Sequence, residues 1–243
     1  MEKSLENAKK IIEQSQHLVF LGGAGVSTAS GIQDFRSPQG LYNLKSKYGV
    51  PYEEMLSHDY FFNNFEKFYE FYWSTMVNAK AKPNQAHLAL ADYEKRGHDI
   101  TIITQNIDGL HQMAGSKRVL EVHGAVKSYQ CIGCEKRFSL SDIVRQGVPR
   151  CPVCHDILKP DVVLYGEPLN ETVIEDAVRA IENADTMIIG GTSLRVYPCS
   201  GLVDYFLGDN QIMINNEPTD HDPYCKVVIH EDIGTVLEAI LKD

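Results

Sequence analysis

Short apolar runs and helical stripes alternate along most of the chain. Six runs read as strands: HLVFLG at 17–22, DITIIT at 99–104, RVLEV at 118–122, DTMIIG at 185–190, QIMIN at 211–215 and KVVIH at 226–230. Helical periodicity appears between them at 84–96, 170–183 and 232–241. Asn84 is placed to cap the first of these helices and Gly97 to stop it. The opening stretch MEKSLENAKKIIEQSQ puts Leu5, Ala8 and Ile12 on one helical stripe. It holds no apolar signal core, so it reads as a surface helix. Short apolar strands between amphipathic helices predict an α/β fold, a parallel sheet covered on both faces.

Two segments break the alternation. In 39–78, Phe61, Phe62, Phe65, Phe68, Tyr69, Tyr72, Trp73 and Met76 recur at helical spacing, which predicts a helix packing an apolar face on a core. Residues 124–161 lack helical periodicity and hold Cys131, Cys134, Cys151 and Cys154. These form two C-x-x-C knuckles with 16 residues between them, the spacing of a four-thiolate zinc site. Four thiolates fill a tetrahedral zinc and leave no position for water or substrate. Chemistry then lies elsewhere, and His123, eight residues before the first knuckle, is the first candidate. Both segments interrupt the α/β region, so they predict one smaller module made of two insertions.

Composition narrows the picture less than pattern does. At 243 residues the chain can bury one large core, or one core and a satellite module. Its net charge of −10 argues against a nucleic-acid partner. Within 124–161, six Lys and Arg face four Asp and Glu, too slight a surplus for a nucleic-acid footprint. The longest apolar runs are far short of a membrane span, so no membrane partner is expected. Cysteines at metal-ligand spacing, without a secretion signal, place the protein in a reducing cytoplasm. The remaining Cys199 and Cys225 read as small buried apolar residues.

The first strand runs into Gly22-Gly23-Ala24-Gly25-Val26-Ser27-Thr28. Glycines there permit a tight turn and let backbone N–H groups approach a phosphate, and a following helix offers its positive end. The dinucleotide fingerprint is incomplete: Thr28 stands at its third small position, and no acidic residue ends a second strand about 20 residues on.

The run GAGVSTASGIQDFRS at 23–37 resembles the sirtuins, NAD-dependent protein lysine deacylases. So do TQNIDGLHQMAGS (104–116) with LEVHG (120–124), the two knuckles, and GTSLRVYP (191–198) with INNEPT (214–219), in the family's order. The resemblance implies a Rossmann-like NAD domain from 1–38, 79–123 and 162–243. It also implies a smaller domain made of a helical insertion, 39–78, and a zinc module, 124–161. NAD, as co-substrate, and an acylated-lysine protein or peptide would meet between the two. A single structural zinc would sit on the four cysteines.

The residue roles carry over in the same way. Ala24 and Thr28 would contact the NAD phosphates, Phe35 would shield the reactive sugar, and Arg36 would reach the phosphates or order the covering loop. Gln105, Ile107 and Asp108 would line the nicotinamide side, and Asn106 would orient a ribose hydroxyl or a water; capping a helix is the competing role for Asp108. His123 would be the general base that takes a ribose-hydroxyl proton. Gly191, Thr192 and Ser193 would hold phosphate and ribose oxygens, Asn215 the adenosine ribose, and Asp232 and Ile233 the adenine side. Val162 and Val163 resemble the strand that pairs with the peptide backbone.

Two departures stand out: Gly22 where the family often has Thr, and Gln33 where Pro is common. The Tyr-x-x-Arg pair that selects acidic acyl groups is absent, since the helix reads Tyr69-Glu70-Phe71-Tyr72; neutral acyl groups are expected. Three rival readings stay open from sequence. They are a dehydrogenase on the same domain, a non-catalytic zinc-ribbon binding module, and a mono-ADP-ribosyltransferase sharing the NAD cleavage step.

Overall fold

A computed structural model describes residues 2–35, 40–43, 48–78 and 80–242. The chain opens with α1 (Glu2–Gln14), β1 (Leu18–Gly22) and a 3-10 segment, Ala24–Ser30. Three short helices follow, α2 (Tyr52–Met55), α3 (His58–Asn63) and α4 (Phe65–Phe71), the last running into a π-helical turn at Tyr72–Met76. Then come α5 (Gln85–Lys95), β2 (Ile100–Thr104), α6 (Leu110–Ala114), β3 (Val119–Glu121), β4 (Gly124–Cys131), β5 (Arg137–Ser139) and β6 (Leu158–Val162). The chain closes with α7 (Glu171–Glu182), β7 (Thr186–Gly190), β8 (Asn210–Ile214), β9 (Val227–Ile229) and α8 (Ile233–Leu241), with a 3-10 segment Cys199–Tyr205 after β7.

All six predicted strands join one parallel sheet in the order β3-β2-β1-β7-β8-β9. Taken in chain order within this sheet they run third-second-first-fourth-fifth-sixth, the arrangement of dinucleotide-binding folds. The direction of strand addition reverses between β1 and β7, which opens a crevice beyond their carboxyl ends.

Both faces are covered, as the continuous apolar strands require. Successive strand side chains point to opposite faces. Leu18, Phe20, Ile188, Ile212 and Ile214 therefore pack with Ala8, Ile12, Leu90 and Leu237 of α1, α5 and α8. Val19, Leu21, Met187, Ile189 and Met213 pack with Ala177 and Ile181 of α7 and with Leu202 and Val203. Each fully buried Leu, Ile or Phe contributes roughly 1.5–3 kcal/mol. The cap read from sequence forms, Asn84 accepting from the Ala86 N–H, and the structure adds two more, Asn170 accepting from Val173 and Asp232 from Thr235.

The two interruptions share one core. Phe61, Phe68, Tyr69, Phe71 and Tyr72 pack with Tyr129, Leu158, Val162, Cys131 and Cys151 of an antiparallel sheet, β5-β4-β6. The aromatic stripe is not one helix. Ser57 caps a new start at α3 by accepting from Tyr60 N–H at 3.1 Å, and Asn64 at φ −145° breaks the helix again. The breaks turn aromatic rings from successive short helices into one packed cluster, with Phe61 edge-on to Phe65 and Phe68 and Tyr72 stacked on Phe68. Among the described residues no helix is long and apolar enough to cross a membrane.

Candidate active site and metal centre

The loops after β1 and β7 meet at the mouth of the crevice. Gly23 and Gly25 donate their backbone N–H groups to the carbonyls of Gly190 and Gly191, at 3.2 and 2.8 Å. A Cβ on Gly25 would stand 2.9 Å from Gly191 Cα, and Gly191 itself has φ +60°. These glycines thus serve first to let one loop cross the other, and the N–H groups of Gly23 and Gly25 are spent on protein carbonyls. The expected helix after the loop is a 3-10 segment, Ala24–Ser30. Thr28 Oγ1 donates to the Gly25 carbonyl at 3.0 Å, an i→i−3 contact that competes with α-helical pairing, and Gly31 at φ +76° ends the segment.

The end of β2 supplies the next layer. Gln105 donates its side-chain amide to Thr192 Oγ1 at 3.1 Å, tying the β2 end to the β7 loop. Asn106 donates to Ser27 Oγ at 3.0 Å, and Ser27 in turn donates to Asp108 Oδ2 at 2.7 Å. Asp108 also accepts from the Leu110 N–H at 2.8 Å, so it both caps the turn into α6 and anchors Ser27. Behind Ser27 lies His87, fully buried, with Nε2 3.5 Å from Ser27 Oγ. Burial lowers the His87 pKa to about 4 against the opposing pull of Asp108. His111, its ring tilted against that of His87 with centroids 4.7 Å apart, is lowered to about 3 by burial and by His87.

His123 follows β3, beside the same strand end. Its Nδ1 lies 2.9 Å from the Gln105 carbonyl oxygen. A carbonyl only accepts, so Nδ1 carries the hydrogen and Nε2 keeps its lone pair, the form a general base needs. Burial pushes the imidazole pKa down, and the Gln105 contact opposes that shift. Gly124, at φ +75°, is obligatory beside it: a Cβ there would lie 1.9 Å from the Asp161 carbonyl.

Most predicted site residues gather here. Ala24, Thr28, Gln105, Asn106, Ile107, Asp108, His123, Gly191, Thr192 and Ser193 all sit on loops at the carboxyl edge of β1, β2, β3 and β7. Phe35 lies at a bend whose carbonyl accepts from the Tyr42 N–H at 3.0 Å, and its ring packs on Tyr42 at 5.3 Å. Val163 donates its N–H to the His123 carbonyl at 3.0 Å, so the segment from Val162 onward is fastened directly to His123. Asn215 follows β8 and donates to the Glu217 carbonyl at 2.8 Å, one strand beyond the crevice. Asp232 is committed to capping α8, and Ile233 is buried against Gly190. Arg36 falls outside the described residues. Ser27, His87 and Cys199 join the site unannounced by the sequence. Ser27 lay inside the glycine motif; His87 and Cys199 carried no local signal.

The four cysteines form a separate centre. Their sulfur atoms all lie within 4.8 Å of one another, with Cys131–Cys154 at 3.3 Å and Cys134–Cys151 at 3.6 Å. Sulfurs around a tetrahedral zinc with ~2.3 Å bonds stand about 3.8 Å apart, so the set fits one ion. The knuckles are alike: Glu135 N–H bonds to Cys131 and His155 N–H to Cys151, and both residues take positive φ, 59° and 64°. β4 runs from Gly124, next to His123, to Cys131, a span of roughly 20 Å. The metal centre is thereby kept away from His123.

A Rossmann-like sheet with nucleotide-type loops at its switch point, a histidine with an oriented ring beside them and a remote four-thiolate centre defines a nucleotide-using enzyme with a structural metal site. The Sir2 family profile matches residues 23–198. A protein of Clostridium tetani described as an NAD-dependent protein deacetylase is 50% identical over 240 residues, covering 98% of this chain and 97% of that one. Among solved structures, one described as a structural basis for the mechanism and regulation of Sir2 enzymes superposes at a TM-score of 0.90, with 37% identity over 100% of this chain and 98% of that chain. Another, a Sir2 protein with deacetylated p53 peptide and 3′-O-acetyl ADP-ribose, gives 0.88 with 34% identity, covering 98% and 97%. The chain belongs to the Sir2 family.

Proposed function

We infer that this protein is an NAD-dependent protein lysine deacetylase, which moves an acyl group from lysine to ADP-ribose, releases nicotinamide and consumes NAD. The observation that carries the reading is the His123 ring. It is fixed by a main-chain carbonyl with Nε2 left basic, at the switch-point edge where a nucleotide sugar binds. Full-length likeness to deacetylases supports it. In the reaction the acyl-lysine carbonyl oxygen bonds to the ribose carbon as nicotinamide leaves. His123 takes the proton of a ribose hydroxyl, which attacks the resulting imidate carbon, and water then releases the lysine amine and leaves the acyl group on ADP-ribose. Asn106, oriented through Ser27, positions that hydroxyl or a water. Ile107 and Asp108 contact nicotinamide, with Gln105 beside them.

Ala24 and Thr28 take the phosphates with Gly191, Thr192 and Ser193, and Phe35 shields the sugar. Arg36 reaches the phosphates or orders the covering loop. Asn215 binds the adenosine ribose, and Asp232 and Ile233 the adenine side. Val162 and Val163 pair with the backbone of an acylated-lysine peptide. The helical module 39–78 and zinc module 124–161 form one wall of the cleft. Zinc, held by Cys131, Cys134, Cys151 and Cys154, supplies folding energy only.

Tyr69 and Tyr72 are sealed in the aromatic core, and Tyr69 donates to the Leu158 carbonyl. No arginine stands at that point of the helix, which supports a preference for neutral acyl groups. The protein acts in the cytoplasm, without a nucleic-acid or membrane partner. Mass spectrometry of protein incubated with NAD and acetyl-lysine peptides tests the reading. Deacetylated peptide and O-acetyl-ADP-ribose should appear together and require both substrates. Absence of both products across several peptides overturns it, and ADP-ribosylated protein instead would establish mono-ADP-ribosyl transfer.

A further inference from the structure

Cys199 opens the 3-10 segment Cys199–Tyr205 and is buried at 0% exposure among Leu202, Val203 and Ile189. Its sulfur lies 3.1 Å from His123 Nε2, the nitrogen opposite the one held by Gln105. We propose that Cys199 is a positioning residue for the general base: its thiol donates to Nε2 and holds the ring in one orientation until a sugar hydroxyl takes its place. The proposal rests on the deacetylase reading for the identity of that hydroxyl.

The hydrogen inventory leaves one arrangement. Nδ1–H is given to the Gln105 carbonyl, so Nε2 can only accept, and the group facing it must donate. A thiol can. Burial pushes the Cys199 thiol up to about 12, while burial also lowers the imidazole. Both shifts favour the neutral forms, a thiol facing an imidazole, over the thiolate–imidazolium pair of a cysteine nucleophile. Burial and the Gln105 carbonyl are the influences acting on the His123 titration, and Cys199 is the titratable side chain seated against it.

The clamp also has a geometric logic. Gln105 follows β2, and Cys199 belongs to the connection after β7, the strands on either side of β1. The ring is thus held from both flanks of the crevice. A thiol is a weak donor, so a sugar hydroxyl can displace it at little cost. The base is then aligned before the substrate arrives.

Histidine-selective 15N NMR of the full-length protein tests this without requiring turnover. Wild type should show the Nδ1–H tautomer at His123. Removing the donor in Cys199→Ala should raise the His123 midpoint by about half to one pH unit, because the neutral ring loses its partner. Cys199→Ser should restore it. In parallel, kcat should fall about 3- to 10-fold in Cys199→Ala and recover in Cys199→Ser, with KM for NAD unchanged. An Nε2–H tautomer in wild type, an unmoved midpoint in Cys199→Ala, or an unchanged kcat in an active enzyme would overturn the proposal. If no peptide is turned over by any form, the deacetylase reading fails while the NMR result still decides the contact.

Discussion

At the scale of the residue, the site is a set of imidazoles kept neutral for different ends. His123, its pKa lowered by burial, is the proposed base. His123→Ala should lower turnover by about 10²- to 10⁴-fold, with zinc content and thermal midpoint unchanged; a variant with near-normal rates would remove the base from this position. Its lowered pKa places the acid limb of kcat/KM below pH 6.5 in a pH–rate profile. His87 and His111 are neutral because they are buried, at about 4 and about 3. The unfolded chain takes up protons near pH 6.5 where the native state does not, so stability must fall as pH drops from about 6.5 toward 4. Two such groups give a slope of roughly 2–3 kcal/mol per pH unit in that window. Urea midpoints across pH 4.5–7 should show it, and His111→Leu should make the slope shallower.

At the scale of the element, the crossing of the β1 and β7 loops is a tight joint. Gly25→Ala forces a Cβ to 2.9 Å from Gly191 backbone and should cost about 1–3 kcal/mol in urea unfolding. Gly31→Ala meets open space and should cost only the left-handed backbone penalty, about 1–2 kcal/mol. A larger loss at Gly31 than at Gly25 would show that backbone conformation, not crowding, governs this joint. The sheet was legible because each strand is a continuous apolar run, and α5, α7 and α8 because each carries a helical apolar stripe, the first with its cap at Asn84; the caps at Asn170 and Asp232 emerge only in the structure. The aromatic segment was legible as helical but not as three helices, since its breaks depend on Ser57 turning inward to Tyr60 N–H and on Asn64 leaving helical backbone. The knuckles were legible from spacing alone. The Ser27–Asn106–Asp108 network, His87 behind it and Cys199 against His123 were not, because each joins residues brought close only by the completed sheet.

At the scale of the whole molecule, two cores are stitched together by β4 and the Val162–Val163 segment. Chelation of the metal, or Cys151→Ser, should open the aromatic and ribbon core while the six-stranded sheet keeps its protection. Hydrogen exchange should show this as fast amides over 124–162 and 52–76, with slow ones in β1, β2, β7 and β8; global unfolding instead would mean that the two cores form a single cooperative unit. Gln105 has a further consequence for how such a protein can vary. Its carbonyl selects the tautomer of His123, whereas its side-chain amide ties the β7 loop. Side-chain replacement at this position alters the second contact and leaves the first intact. The setting of the base is thus written in the main chain, sheltered from point mutation, while the nucleotide side of the crevice stays open to adjustment one residue at a time.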